Sequence, residues 1–185
     1  MFFIETVKID ENIENLHYHN ERLNRTRKIF FNAKPIDLKN FVKIKKNFRA
    51  RITYKKEILK IEYFPLSKRE FKKFKIVDSN VNYRFKFENR AKLNALKPEN
   101  YDEIIIVKNG LITDTTISNL AFFNGKEWLT PKYPLLKGTK RAELLEKNFL
   151  KEANIKKSDL KYFKKMAMIN AILGFYEIEN FSLDF

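Results

Sequence analysis

The chain has 185 residues, a formal net charge of +15, 44% hydrophobic residues and no cysteine. Apolar residues spread along the whole length argue against disorder, and the missing cysteines exclude disulfides, zinc–thiolate sites and iron–sulfur clusters. No apolar run approaches the ~20 residues of a membrane span, and Met1 to Asp10 lacks the pattern of a signal peptide, so a cytoplasmic protein is expected.

In chain order, Met1 to Lys8 alternates as a strand and Asp10 to Asn12 reads as a turn. Glu14 to Phe31 reads as a helix with Leu16, His19, Leu23, Ile29 and Phe30 broadly on one face. Pro35 and Asp37 open a short helix over Leu38 to Val42. Phe48 to Tyr54 and Ile58 to Phe64 form a hairpin around Lys55-Lys56-Glu57, with Pro65 ending its second strand. Phe71 to Val77 is a third strand, closing an N-terminal α+β lobe near Ser79.

Ile104-Ile105-Ile106-Val107 predicts a strand buried on both faces. Asn109-Gly110 is a hairpin signal, followed by strands over Leu111 to Asp114 and Leu120 to Phe123. Asn124-Gly125 is another turn and Glu127 to Thr130 another strand. Arg141 to Ala153 reads as the clearest helix, from the spacing of Leu144, Leu145 and Phe149, and Met166 to Phe185 reads as strand, turn and strand. With 18 Phe but only 4 Gly and 5 Pro, aromatic side chains supply much of the core and loops are short.

The positive charge allows two readings, a nucleic-acid face or a solvated lysine-rich surface. The lysines run from Lys8 to Lys165, interleaved with Asp and Glu and without a dense basic block, which favours the second. His17 and His19 stand two apart on a helix and point in different directions, so no metal site is expected. His19 and Arg22 share a face, which suits either phosphate binding by Arg22 or a partly buried His beside a surface Arg. Lys140 and Arg141 follow Gly138-Thr139, with Thr139 read as the N-cap. Two cations at the positive end of a helix suggest a nearby anion, or an ordinary capped helix with solvated charges. Lys86, flanked by aromatic residues and by Arg84 and Arg90, has neighbours that would lower its pKa; among so many lysines, spacing alone does not single it out.

Several segments, in one order, resemble the class IV pyridoxal-phosphate (PLP) enzymes. Phe3-Ile4-Glu5-Thr6 is similar to that family's "FET" strand, and Leu16 to Leu23 to its "HxxRL" helix. Lys86-Phe87-Glu88-Asn89-Arg90 looks like the "KxLNR" segment of its lyases, and Asp102-Glu103 like its "DE". Gly110 to Asn119 resembles "GxVTExxxxN", Trp128 to Pro131 the "TP" strand, Gly138 to Arg141 the "GIxR" turn, and Met168 to Ala171 the "xxNAL" stretch.

The resemblance implies an α+β, two-lobe fold type IV enzyme similar to D-amino acid aminotransferase. Its lobes would be residues 1–80, an N-terminal α+β lobe, and 81–185, a barrel-like C-terminal lobe carrying the PLP lysine, with the cofactor between them. Lys86 would form the Schiff base. Arg22, Gly138, Thr139, Asn170 and Ala171 would hold the phosphate, and Asn119 belongs to the same cofactor set. Asp114 would stand where the family has a glutamate facing the pyridine nitrogen, one methylene shorter. Family members usually carry further strands upstream that help line the substrate pocket, so here that pocket would be more open or completed by a partner subunit. A homodimer is implied.

The activity implied first is 4-amino-4-deoxychorismate lyase, which makes 4-aminobenzoate and pyruvate for folate synthesis. The second is an aminotransferase of branched-chain or D-amino acids. A reading from another class, a basic binding protein that has lost catalysis, draws on the charge, Asp114 and the short start.

Overall fold

The computed structural model describes residues 1–185. They divide into two units, Met1–Lys68 with Phe85–Asn89, and Arg69–Arg84 with Arg90–Phe185.

In the first unit, β1 (Phe3–Ile9) leads into α1 (Leu16–Phe31), and β2 (Phe48–Tyr54) and β3 (Ile58–Pro65) form the expected hairpin. The three strands make an antiparallel sheet in the order β1-β2-β3, with Phe3 opposite Tyr54 and Ile9 opposite Phe48. Phe3, Val7, Ala50, Ile52, Tyr54 and Leu23 join one core. The buried residues of α1 are His19, Arg22, Leu23, Thr26 and Arg27, a helical stripe in which only Leu23 is apolar. Ile29, expected on the inner face, is 58% exposed. Inward-facing charge, not hydrophobicity, marks this helix, and Ile29 lies outside its stripe. A short 3-10 turn, Leu38–Asn40, stands at the expected helix and is capped by Asp37, whose carboxylate accepts from Lys39 N at 2.9 Å.

The second unit begins earlier than residue 81. β4 (Lys73–Asp78) pairs in parallel with β5 (Glu103–Lys108), so the predicted third strand of the first lobe belongs to the second unit. Residues 85–89 in turn lie with the first unit, because Phe87 bridges Phe3 and Lys86 O accepts from Ile4 N at 2.9 Å. A four-residue helix, α2 (Ala91–Asn94), precedes β5. Then come β6 (Leu111–Ile112), β7 (Asn119–Phe123), β8 (Trp128–Pro131), α3 (Thr139–Glu146), β9 (Leu150–Ala153), β10 (Lys165–Asn170), β11 (Gly174–Ile178) and β12 (Ser182–Asp184). One sheet has the order β12-β4-β5-β6 and the other β11-β10-β7-β8-β9. Phe74, Ile76, Ile105, Val107, Phe122 and Met168 are among the buried side chains of the unit's main core. Alternate residues of the second sheet, Ala121, Ala167 and Ile169, pack with Leu144 of α3.

The predicted helix over 141–153 is two elements. α3 stops at Glu146, Asn148 turns left-handed at φ 56°, and β9 follows, paired with β8. The helical spacing of Phe149 is coincidental, and the residue is 46% exposed. All six non-glycine residues with positive φ are asparagines: Asn15, Asn32, Asn47, Asn109, Asn148 and Asn180. Asparagine tolerates the left-handed region better than other side chains, and in a chain with four glycines it does much of the turning.

Candidate active site

In the first unit, Glu5 lies on β1 between Phe3 and Val7 at the inward-facing positions. It is wholly buried, as is His19, and Arg22 is 8% exposed. Arg22 grips the carboxylate with two bonds, Nε to Oε1 at 2.8 Å and Nη2 to Oε2 at 2.6 Å. His19 Nδ1 stands 2.7 Å from Oε2; facing a carboxylate, Nδ1 carries the ring proton. Burial alone would raise the Glu5 pKa, but the charge and hydrogen bonds of Arg22, with His19, lower it to about 2. Burial lowers the His19 pKa against the pull of Glu5, so this ring is neutral; Arg22 and Lys86 push it further down.

Lys86 is half-buried. Its backbone is fixed by Ile4 N to Lys86 O and by Glu88 N to Phe2 O, both 2.9 Å, and a tight turn closes Phe87 N onto Phe85 O. Phe85 and Phe87 pack against Phe30 and Phe3 respectively, with ring centroids 4.8 and 5.3 Å apart. The lysine therefore springs from a rigid aromatic platform.

In the second unit, Asp114 follows β6 and is 4% exposed. Oδ1 accepts from Asn119 Nδ2 at 2.7 Å and Oδ2 from Leu136 N at 2.9 Å. Every hydrogen-bond donor to this carboxylate is neutral. Burial raises its pKa to about 7, against the pull of Asn119, the backbone at Leu135 and Leu136, and the charge of Arg141. Asn119 Nδ2 also donates to Leu136 O at 2.8 Å. Between Asp114 and Asn119 the loop is closed by hydroxyls: Thr115 Oγ1 accepts from Ser118 N at 2.9 Å, and Thr116 Oγ1 donates to the buried Glu103 at 2.6 Å. Arg90 Nη2 donates to Thr116 O at 2.5 Å.

Gly138, not Thr139, is the N-cap of α3. Thr139, its first residue, is buried. The two cations after it need no external anion. Lys140 pairs with Glu143 at 2.8 Å, and Arg141 donates to Glu152 at 2.7 Å and to Pro131 O at 2.8 Å. The fold uses Arg141 to fasten α3 to β8 and β9. Asn170 is also engaged: Oδ1 accepts from Ile172 N and Leu173 N, both 2.8 Å, and Nδ2 donates to Ile117 O at 3.2 Å. It shapes the turn that begins at Ala171.

Of the sequence candidates, Lys86 and Arg22 lie in the first unit, and Asp114, Asn119, Gly138, Thr139, Asn170 and Ala171 in the second. Sequence reasoning missed the buried role of Glu5, although an acid at a core-facing position of an alternating strand was a readable signal. It also missed Glu103, hidden by the apolar run that follows it. No cluster of three or more His, Asp or Glu side chains is arranged to hold a metal ion, and no helix is long and apolar enough to cross a membrane.

Residues 80–181 match the family model described as Amino-transferase class IV. An uncharacterised protein of Haemophilus influenzae is 31% identical over 182 residues, covering 92% of this chain and 97% of that protein. A structure from Haemophilus somnus, provisionally described as a 4-amino-4-deoxychorismate lyase, is 31% identical, with TM-score 0.86 and coverage of 94% of this chain and 97% of that one. A provisionally described amino-acid aminotransferase from Mesorhizobium loti shares the fold at 21% identity, with TM-score 0.82 and coverage of 98% and 99%. A PLP-bound structure from Mycobacterium tuberculosis, described as a hypothetical aminotransferase, shares it at 15%, with TM-score 0.79 and coverage of 99% and 81%. The α+β architecture is therefore that of the fold type IV enzymes, and the chain is an enzyme that belongs to the class IV aminotransferase family.

Proposed function

We propose that the chain is a PLP-dependent 4-amino-4-deoxychorismate lyase, forming 4-aminobenzoate and pyruvate in folate synthesis, and that it works as a cytoplasmic homodimer. The observation that carries the cofactor assignment is Asp114, a carboxylate out of water whose donors are all neutral. Desolvation leaves its charge poorly compensated, and a protonated pyridine nitrogen is the kind of cation that such a group would stabilise. Support for the lyase over other family reactions comes from the 31% identity, along nearly the whole chain, to the structure described as a lyase. A 75-residue stretch is also 33% identical to a provisionally described aminodeoxychorismate lyase of Schizosaccharomyces pombe.

When bound, PLP supplies an electron sink for the bond-breaking carbon of an amine substrate. Lys86 would be the amine that holds the cofactor's aldehyde, and its Nζ, once released, would take and return the proton at the substrate carbon. Asp114 would favour the protonated pyridine nitrogen. By the family resemblance, Arg22 would bind the phosphate, as would the backbone at Gly138-Thr139 and at Asn170-Ala171. Glu5 holds Arg22 in one orientation, since its carboxylate engages Nε and Nη2 together.

The test is the absorption spectrum of purified protein incubated with PLP, wild type against Lys86→Ala. A visible band that borohydride fixes onto Lys86 is expected in the wild type alone, and its absence would overturn the cofactor reading. With 4-amino-4-deoxychorismate, release of 4-aminobenzoate above the uncatalysed rate is expected. If instead an amino acid converts the bound cofactor to its pyridoxamine form and no 4-aminobenzoate appears, the second reading, a branched-chain or D-amino acid aminotransferase, takes its place. Gel filtration at twice the monomer mass is expected for the dimer.

A further inference from the structure

We propose that Asn119 is a positioning residue that locks the Asp114 carboxylate to the turn opening α3. Its amide orientation is dictated by its neighbours. Nδ2 faces two oxygens, Asp114 Oδ1 at 2.7 Å and Leu136 O at 2.8 Å, and neither can donate when Asp114 is ionised, so the nitrogen must point there. Oδ1 is thereby turned toward Gly138. A Cβ added at Gly138 would lie 2.0 Å from Asn119 Oδ1 and 3.1 Å from its Cγ.

The backbone of Gly138 is in an ordinary extended conformation, φ −73° and ψ 146°, which any residue adopts. Glycine is required here for close approach, not for backbone freedom. A terminal amide would normally swing away from an intruding methyl. This one is held by two hydrogen bonds, so the intrusion is transmitted to Asp114 or to the backbone at Leu136. Asn119 is itself 5% exposed, and Leu136 N returns a bond to Asp114 Oδ2 at 2.9 Å. Asp114, Asn119, Leu136 and Gly138 thus form a closed set in which carboxylate and turn move together.

This reassigns Asn119 from contact with the cofactor to control of the group that meets it. The consequence for PLP rests on the proposed function; the clamp does not. Arg141 is the charged group whose field acts on Asp114, and it is unchanged in all the variants below.

The experiment uses apoprotein and PLP-loaded protein of wild type, Asn119→Ala, Asn119→Asp, Gly138→Ala and the double variant Asn119→Ala/Gly138→Ala. In apoprotein, the Asp114 carboxyl pKa, followed by NMR of carboxyl-labelled aspartate, should rise by about one unit in Asn119→Ala, because a donor to the charged form is lost. Asn119→Asp keeps the shape without the donor and should raise it at least as far. Gly138→Ala should lower the melting temperature in the Asn119 background and have much less effect in the Asn119→Ala background. Affinity for PLP, read by equilibrium dialysis, should fall about ten- to a hundredfold in Asn119→Ala.

An unmoved Asp114 pKa, or a Gly138→Ala cost equal in both backgrounds, would overturn the clamp. If wild type takes up no PLP, the functional reading fails while the two apoprotein measurements still decide the clamp. Should Asn119→Ala not fold, Asn119→Ser takes its place in every arm, with the same expected directions.

Discussion

Arg22 and Glu5 meet through a two-bond fork, 2.8 and 2.6 Å, in a place almost without water. A guanidinium fits a carboxylate in this way as an ammonium does not, and His19 occupies the remaining side of the same acid. The charge of one partner is tolerated only because the other is present.

Removing the acid therefore costs more than the pair itself is worth. Glu5→Gln leaves Arg22 as a buried cation without a counter-charge and is expected to destabilise the protein by about 3 kcal/mol. Urea unfolding at pH 7 measures this. PLP affinity should fall in the same variant, and a cost near zero would refute the pairing.

Glu5, His19 and Asp114 are among the groups that set the pH dependence of stability. The folded pKa of Glu5, about 2, lies below its usual 4.5. Its contribution is present above pH 4.5 and is lost as the pH falls toward 2, an effect of about 3 kcal/mol. His19, also lowered, acts in the same direction: its contribution is full above its usual 6.5 and is lost as the pH falls through its folded value. Asp114 acts in the opposite sense. Its folded pKa is raised from 3.8 to about 7, so its contribution is full below pH 3.8 and declines as the pH rises toward 7. In apoprotein, Asp114→Asn should remove this decline, so that the unfolding free energy at pH 8 relative to pH 5 is higher in the variant than in the wild type. Urea titrations at the two pH values, wild type beside variant, provide the check.

Arg27 offers a test of a different kind. It is 2% exposed and has no carboxylate partner; it donates to Lys56 O at 2.9 and 2.6 Å, to Lys34 O at 2.6 Å and to Asn24 Oδ1 at 3.1 Å. It ties α1 to the β2–β3 turn through carbonyl oxygens. Arg27→Met keeps the stem but leaves these acceptors unmet, and a loss of about 2–4 kcal/mol is expected in thermal or urea unfolding. Arg27→Lys should recover only part of it, because an ammonium lacks the fork.

The left-handed asparagines give a smaller, local prediction. Asn148 ends α3 at φ 56°. Asn148→Ala should cost about 1 kcal/mol, while Asn148→Gly should be neutral or stabilising. Melting temperatures of the two variants decide it.

These same residues explain which parts of the fold could be read from sequence. The hairpin at Lys55-Lys56-Glu57 and the strand Ile104–Val107 were legible because short-range alternation and local turn chemistry specify them. The helix over 141–153 was overextended because Leu144, Leu145 and Phe149 continue the helical spacing past Asn148, whose left-handed turn leaves no mark on hydrophobicity. The inner face of α1 is legible only in part for a related reason: His19 and Leu23 lie on it as expected, but Arg22 and Arg27 are buried by partners that lie 17 to 29 residues away in the chain, and a single sequence does not display such pairs. In the candidate site, Lys86 had readable aromatic neighbours, but its selection among many lysines came from resemblance. Asn119 was only the last letter of a motif until its two hydrogen bonds and the approach of Gly138 gave it a physical task.

The strand at Ser182–Asp184 pairs in parallel with Lys73–Lys75, more than a hundred residues earlier. During synthesis, that flank of β4 must wait, unpaired, until nearly all of the second unit has left the ribosome. An open strand edge invites sticking to other nascent chains, and lysines are an effective deterrent. Lys72, Lys73 and Lys75 stand at this end of β4, charges of the kind that discourage such contacts.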